Sequence, residues 1–143
     1  MAFMSSNATF VRVGFVVALV STLGSLYFSE ILGFPPCVLC WYQRIAMYPL
    51  VLIFGAALWY NDSKVAIYCI PLTTMGLVIA GYHNLLYYGL ISDSITPCKQ
   101  GVSCTSKQVE LMGFLTIPLM SLIGFFILIL IGICLVRGRT NNE

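Results

Sequence analysis

The chain has 143 residues, 59% of them hydrophobic and only 8% charged, whereas an ordinary soluble domain carries about 25% charged residues; a soluble fold is excluded. Seven basic and five acidic residues leave a formal charge of +2, too weak and too scattered for a nucleic-acid surface, and so apolar a composition also excludes disorder. A helix crossing a bilayer needs about 20 apolar residues, so four spans take roughly 80 and leave only short links. Residues 1–143 are therefore read as one membrane domain.

Four apolar tracts follow one another along the chain, at residues 13–28, 41–60, 65–88 and 117–136, each bounded by polar, charged or Pro/Gly-containing segments. They predict an all-α membrane protein, a four-helix transmembrane bundle running up-down-up-down. Arg12 ahead of the first tract resembles the start of a secretory signal. The apolar run nevertheless continues through Leu26, Tyr27 and Phe28 with only a poor small-residue cleavage site at 22–25, so it is read as a retained span. Pro49 and Pro71 fall inside the second and third spans, where they are expected to kink the helices without ending them.

Four spans put both termini on one side. The termini and the link at 61–64 carry Arg12, Lys64, Arg137 and Arg139, against Lys99 and Lys107 in the links at 29–40 and 89–116, with Arg44 just inside span two. The positive-inside rule then favours cytoplasmic termini and two extracytoplasmic loops. Those two loops hold the cysteine pairs, on the side where disulfides persist.

Of six cysteines, Cys69 and Cys134 stand alone within spans and are read as small hydrophobes. Cys37-Val38-Leu39-Cys40 follows Pro35-Pro36 and opens span two, which puts the pair on the first turn of a helix. Unpaired N–H groups and the positive end of the helix dipole stabilise a thiolate there. Arg44 lies four residues after Cys40, on the same helix face one turn away, a permanent cation suited to a thiolate or a quinone anion. His83 is 18 residues into span three, about 27 Å from its start, and so shares the depth of Cys40 and Arg44. Trp41, Tyr42, Tyr48, Tyr82, Tyr87 and Tyr88 lie at the same level; most read as an interfacial aromatic belt, with one or two available to a flat ring.

Cys98 and Cys104 are separated by five residues that include Gly101, which permits the tight reversal a disulfide across them needs. A ring so small stabilises little, so this disulfide reads as exchangeable. Residues 106–115 bring the chain back to the membrane before Pro118 opens span four. A different reading, a non-enzymatic membrane protein holding zinc or copper on the four loop cysteines, satisfies ligand number but leaves Arg44 without a role. A small transporter would need an intramembrane carboxylate, and Glu30, Asp62, Asp93 and Glu110 all fall in loops.

Two dithiol pairs, one at a helix start beside an arginine and one on a loop, resemble the DsbB family of disulfide-generating thiol:quinone oxidoreductases. The segment Pro36-Cys37-Val38-Leu39-Cys40-Trp41-Tyr42-Gln43-Arg44 is similar to the family's signature at its quinone-proximal pair. Gly24 to Glu30, Pro97 through Cys104, and Gly113 to Pro118 are similar to the short Gram-positive form, called BdbC in bacilli. The loop pair of the longer Gram-negative members is much more widely spaced, and in the related vitamin K epoxide reductases the loop pair precedes the membrane pair instead of following it. The resemblance implies a multi-pass protein of the bacterial cytoplasmic membrane with Cys37, Cys40, Cys98 and Cys104 catalytic. It further implies Arg44, His83 and Trp41 at the quinone, menaquinone or ubiquinone as electron acceptor, no metal, and a thioredoxin-like (DsbA- or BdbD-like) oxidase as partner. It also implies transfer between the pairs through a Cys37–Cys104 disulfide, with Cys98 meeting the partner.

Overall fold

Inside a bilayer no water satisfies the backbone, so spanning segments close their own hydrogen bonds as helices, and the computed structural model of the chain is built that way. It describes residues 2–62, 64–91, 103–104, 110–111 and 115–140. Helix α1 (Ala2–Leu26) runs into a π turn (Tyr27–Ile31), α2 is Val38–Tyr60, α3 Val65–Tyr87 and α4 Ile117–Thr140. All four are long and apolar enough to span a membrane. A two-residue antiparallel pairing, β1 (Glu110–Leu111) with β2 (Leu115–Thr116), precedes α4. Packing follows chain order, α1 on α2, α2 on α3, α3 on α4, and α4 closes the ring on α1. Helices α2 and α3 run through Pro49 and Pro71, as expected of prolines in spans.

Three of the helices, α1, α2 and α4, run beyond their apolar tracts. Helix α1 begins at residue 2, not 13, and its π turn carries it to Ile31. Apolar patterning marks only the stretch in contact with lipid, whereas an internally bonded helix continues beyond it at no backbone cost. Segment 106–115, expected to bring the chain back to the membrane, falls mostly outside the described residues.

Lipid removes the hydrophobic drive between helices, so close packing must hold them. Two glycines provide it. A Cβ on Gly14 of α1 would approach the Phe54 ring of α2 to 2.7 Å, and one on Gly76 of α3 would collide with the Phe125 ring of α4. Both rings are fully buried. The α2–α3 turn closes on Asn61 in the left-handed region (φ 51°), with Asp62 N–H donating to the Ala57 carbonyl and Lys64 N–H to Asp62 Oδ1 at 2.8 Å.

Candidate redox site

The opposite end of the bundle from Asn61 gathers the polar residues. Cys37 follows two prolines and is the N-cap of α2, its backbone extended (φ −72°, ψ 171°), with Sγ accepting the Cys40 N–H at 3.3 Å. Capping brings the second sulfur with it: Cys37 Sγ and Cys40 Sγ are 2.9 Å apart and both cysteines are free thiols. The Cys37 thiol is pushed down from 9.0 to about 4. The hydrogen bond from the Cys40 thiol contributes most, His83 and the Cys40 N–H add to it, and burial opposes them.

His83 of α3 is buried, with Nδ1 3.1 Å from Gln43 Nε2 and Nε2 3.1 Å from the Cys104 carbonyl and 3.8 Å from Cys37 Sγ. An amide NH₂ can only donate, so Nδ1 accepts from Gln43 and the ring's proton sits on Nε2, pointed at the Cys104 carbonyl. Cys104 is disulfide-bonded and packs with Cys37, Leu39 and Leu86 in a small cluster apart from the main core. The loop cysteine is therefore fastened beside the membrane pair. Cys98 lies outside the described residues.

Arg44, 8% exposed, donates from Nε to Ser25 Oγ and from Nη2 to the Ser25 carbonyl, both at 2.9 Å. Ser25 occupies the last turn of α1, where the ladder widens into the π turn, and Ser29 Oγ also reaches its carbonyl at 3.3 Å. The Trp41 ring lies 5.3 Å from the guanidinium, a cation–π contact. At 53% exposed, Trp41 supports Arg44 from outside and is not among the residues lining the adjacent cavity. Asn84 Nδ2 donates to the Ala80 and Pro118 carbonyls at 2.8 Å, tying the end of α3 to the start of α4.

A cavity of about 300 Å³ opens against this cluster, with Cys37, Cys40, Arg44, His83 and Cys104 among its lining residues and Met47, Phe28 and Phe125 as apolar wall. Small-molecule sites have this form, mostly apolar with a few fixed polar groups. Sequence reasoning placed Arg44 and His83 at this depth but assigned nothing to Gln43 or Ser25, which orient them.

The family model for the disulfide bond formation protein DsbB matches residues 7–135. The chain belongs to the DsbB family. It is 47% identical over 139 residues to disulfide bond formation protein C of Bacillus subtilis, covering 97% of this chain and all of that one. The prophage-derived disulfide bond formation protein B of the same organism is 40% identical over 123 residues, 85% of this chain and 82% of the relative. A "Probable disulfide formation protein" of Metapseudomonas resinovorans is 41% identical over 127 residues, 88% of each. No solved structure matches the chain significantly. As a DsbB-family member the protein is a multi-pass membrane oxidoreductase of disulfide bond formation, and the dithiol on the α2 N-cap is the group in it suited to that chemistry.

Proposed function

We propose that the protein is a thiol:quinone oxidoreductase of the bacterial cytoplasmic membrane, reoxidising an extracytoplasmic thioredoxin-like dithiol oxidase with menaquinone or ubiquinone as final acceptor. The observation that carries this reading is one cavity bordered at once by the Cys37–Cys40 pair, by Cys104 and by Arg44. Both termini are cytoplasmic in this reading, from the distribution of Arg12, Lys64, Arg137 and Arg139, and residues 1–143 form one functional domain.

The partner's dithiol is oxidised to a disulfide as the Cys98–Cys104 bond is reduced to two thiols. The Cys104 thiolate attacks Cys37, so that the Cys37–Cys40 bond breaks and a Cys37–Cys104 bond forms; Cys98 then closes on Cys104 and releases Cys37. Two electrons and two protons leave Cys37 and Cys40 for the quinone, which departs as quinol, and the Cys37–Cys40 disulfide is restored. Stabilising the Cys37 thiolate favours the dithiol form of the membrane pair, which makes that pair the stronger oxidant and draws electrons from the loop. His83 holds the Cys104 backbone against Cys37 through its carbonyl. Arg44 supplies a buried cation beside the cavity where negative charge arrives.

Cys37, Cys40 and His83 also bring three donor atoms within 4.8 Å of one another, the arrangement that favours the metal-binding alternative. The disulfide at Cys104 withholds a fourth thiolate. One experiment separates the readings: purified full-length protein is given a reduced thioredoxin-like dithiol and a soluble quinone, and quinone reduction and bound metal are both measured. Catalytic quinone reduction by metal-free protein is expected. Stoichiometric zinc or copper with no turnover would overturn the proposal.

A further inference from the structure

Among the described residues, three buried side-chain polar atoms lack a hydrogen-bond partner: Thr22 Oγ1, Tyr48 Oη and Asn84 Oδ1. Of the three residues, only Tyr48 lines the cavity beside the cysteines. A buried hydroxyl without a partner is unfavourable compared with a phenylalanine of the same shape, so an orphan at the wall of a cavity marks where a ligand atom belongs.

Tyr48 follows Arg44 by four residues on α2, placing it on the same helix face and about 6 Å further along the axis. Arg44 directs Nε and Nη2 to Ser25 and keeps its Nη1 donors without a partner among the described residues. The lining of the cavity is mostly apolar and includes Val20, Met47 and Phe125. Two donors about one turn apart on an apolar wall suit a flat ring bearing an acceptor on each of two opposite edges, which is the chemistry of a para-quinone.

We propose that Tyr48 donates a hydrogen bond to the second carbonyl oxygen of the quinone whose first carbonyl faces Arg44. This rests on the thiol:quinone reading above and adds to it the group that fixes the far edge of the ring. Tyr48 is thereby a ligand-binding residue that sets ring orientation and the preference for two carbonyls in para positions.

The test compares full-length wild-type protein and Tyr48→Phe in lipid nanodiscs. The dissociation constant of 2,3-dimethyl-1,4-naphthoquinone is measured by equilibrium dialysis, and the thermal midpoint is measured with no quinone present. Loss of one hydrogen bond at constant shape is expected to weaken binding about tenfold, with a quinone-free midpoint at or above that of wild type, because no protein partner is lost. Equal dissociation constants in the two proteins would overturn this inference and leave the thiol:quinone reading standing. A lower quinone-free midpoint in Tyr48→Phe would also overturn it, by revealing a partner for the hydroxyl within the protein. Absence of quinone binding by the wild type would remove both the inference and the reading on which it rests.

Discussion

The two ends of the bundle are built from different materials. Toward Asn61 the buried side chains include Val11, Phe54, Ala57, Val65, Ala66, Cys69, Ile131 and Leu135, and a buried polar side chain described near them, Thr73, returns its hydroxyl to the Cys69 carbonyl of its own helix. At the cysteine end Gln43, Arg44, His83, Asn84 and Thr116 are buried together, bonded mostly between helices. Polar groups at membrane depth are costly and persist where chemistry needs them. If the proposed electron transfer belongs to the polar end and packing stability to the apolar one, substitutions at each end should separate the two properties.

The largest effect belongs to the pair itself. Cys40→Ala is expected to abolish quinone reduction while the protein still inserts and folds, checked by turnover beside a thermal unfolding curve. Arg44→Gln comes next. Losing hydrogen bonds of a charged donor, each contributing about 1.5–3 kcal/mol, should lower quinone reduction about ten- to a hundredfold. Exchange at Cys98–Cys104 should be untouched. Arg44→Lys should recover only part of the loss, since an ammonium cannot span both Ser25 acceptors as the guanidinium fork does. Unchanged quinone kinetics in Arg44→Gln would remove Arg44 from the site.

His83→Ala probes the same end through acidity. With the Cys37 thiol at about 4 in place of 9.0, its alkylation rate in the reduced protein should stay flat from pH 8 downward and fall only as pH approaches 4. Without His83 that midpoint should rise. The sign for stability follows the same shift. Folded protein releases this proton more readily than unfolded protein, so the Cys37 contribution is complete above pH 9, declines as pH falls, and is lost through about 4. An alkylation profile that does not move in His83→Ala would mean that Cys40 and the helix start alone set the acidity.

At the apolar end the expectation reverses. Gly14→Ala drives a methyl into the buried Phe54 ring, which does not line the cavity, and overpacking of this kind costs about 1–3 kcal/mol. The thermal midpoint should fall while the folded fraction keeps its Cys37 acidity. A change in that acidity would break the division between the ends.

Much of this division is legible in the sequence, for identifiable reasons. Apolar tracts locate spans because lipid admits no other pattern, and the offset of four from Cys40 to Arg44 and the depth of His83 follow from helix geometry alone. Gln43 and Ser25 escaped because their partners are 40 and 19 residues away, and such contacts depend on how each helix is rotated about its axis, which apolar tracts facing lipid on most sides leave undetermined. Tyr48 could be placed at the right level but not separated from the aromatic belt, since depth does not distinguish a ring facing the cavity from one facing lipid.

The smallest effect is expected of the two remaining thiols. Cys69 is fully buried on α3 and Cys134 is exposed on α4; neither lines the cavity. The Cys69 carbonyl accepts a hydrogen bond from Thr73 Oγ1 at 2.9 Å, and replacing the side chain leaves that bond in place. Cys69→Ala should therefore cost on the order of 1 kcal/mol or less, read as a small fall in thermal midpoint, and Cys134→Ala less still. Quinone reduction in both should match wild type. A large loss in either well-folded variant would carry redox chemistry into the apolar body of the bundle, where packing alone is expected to act.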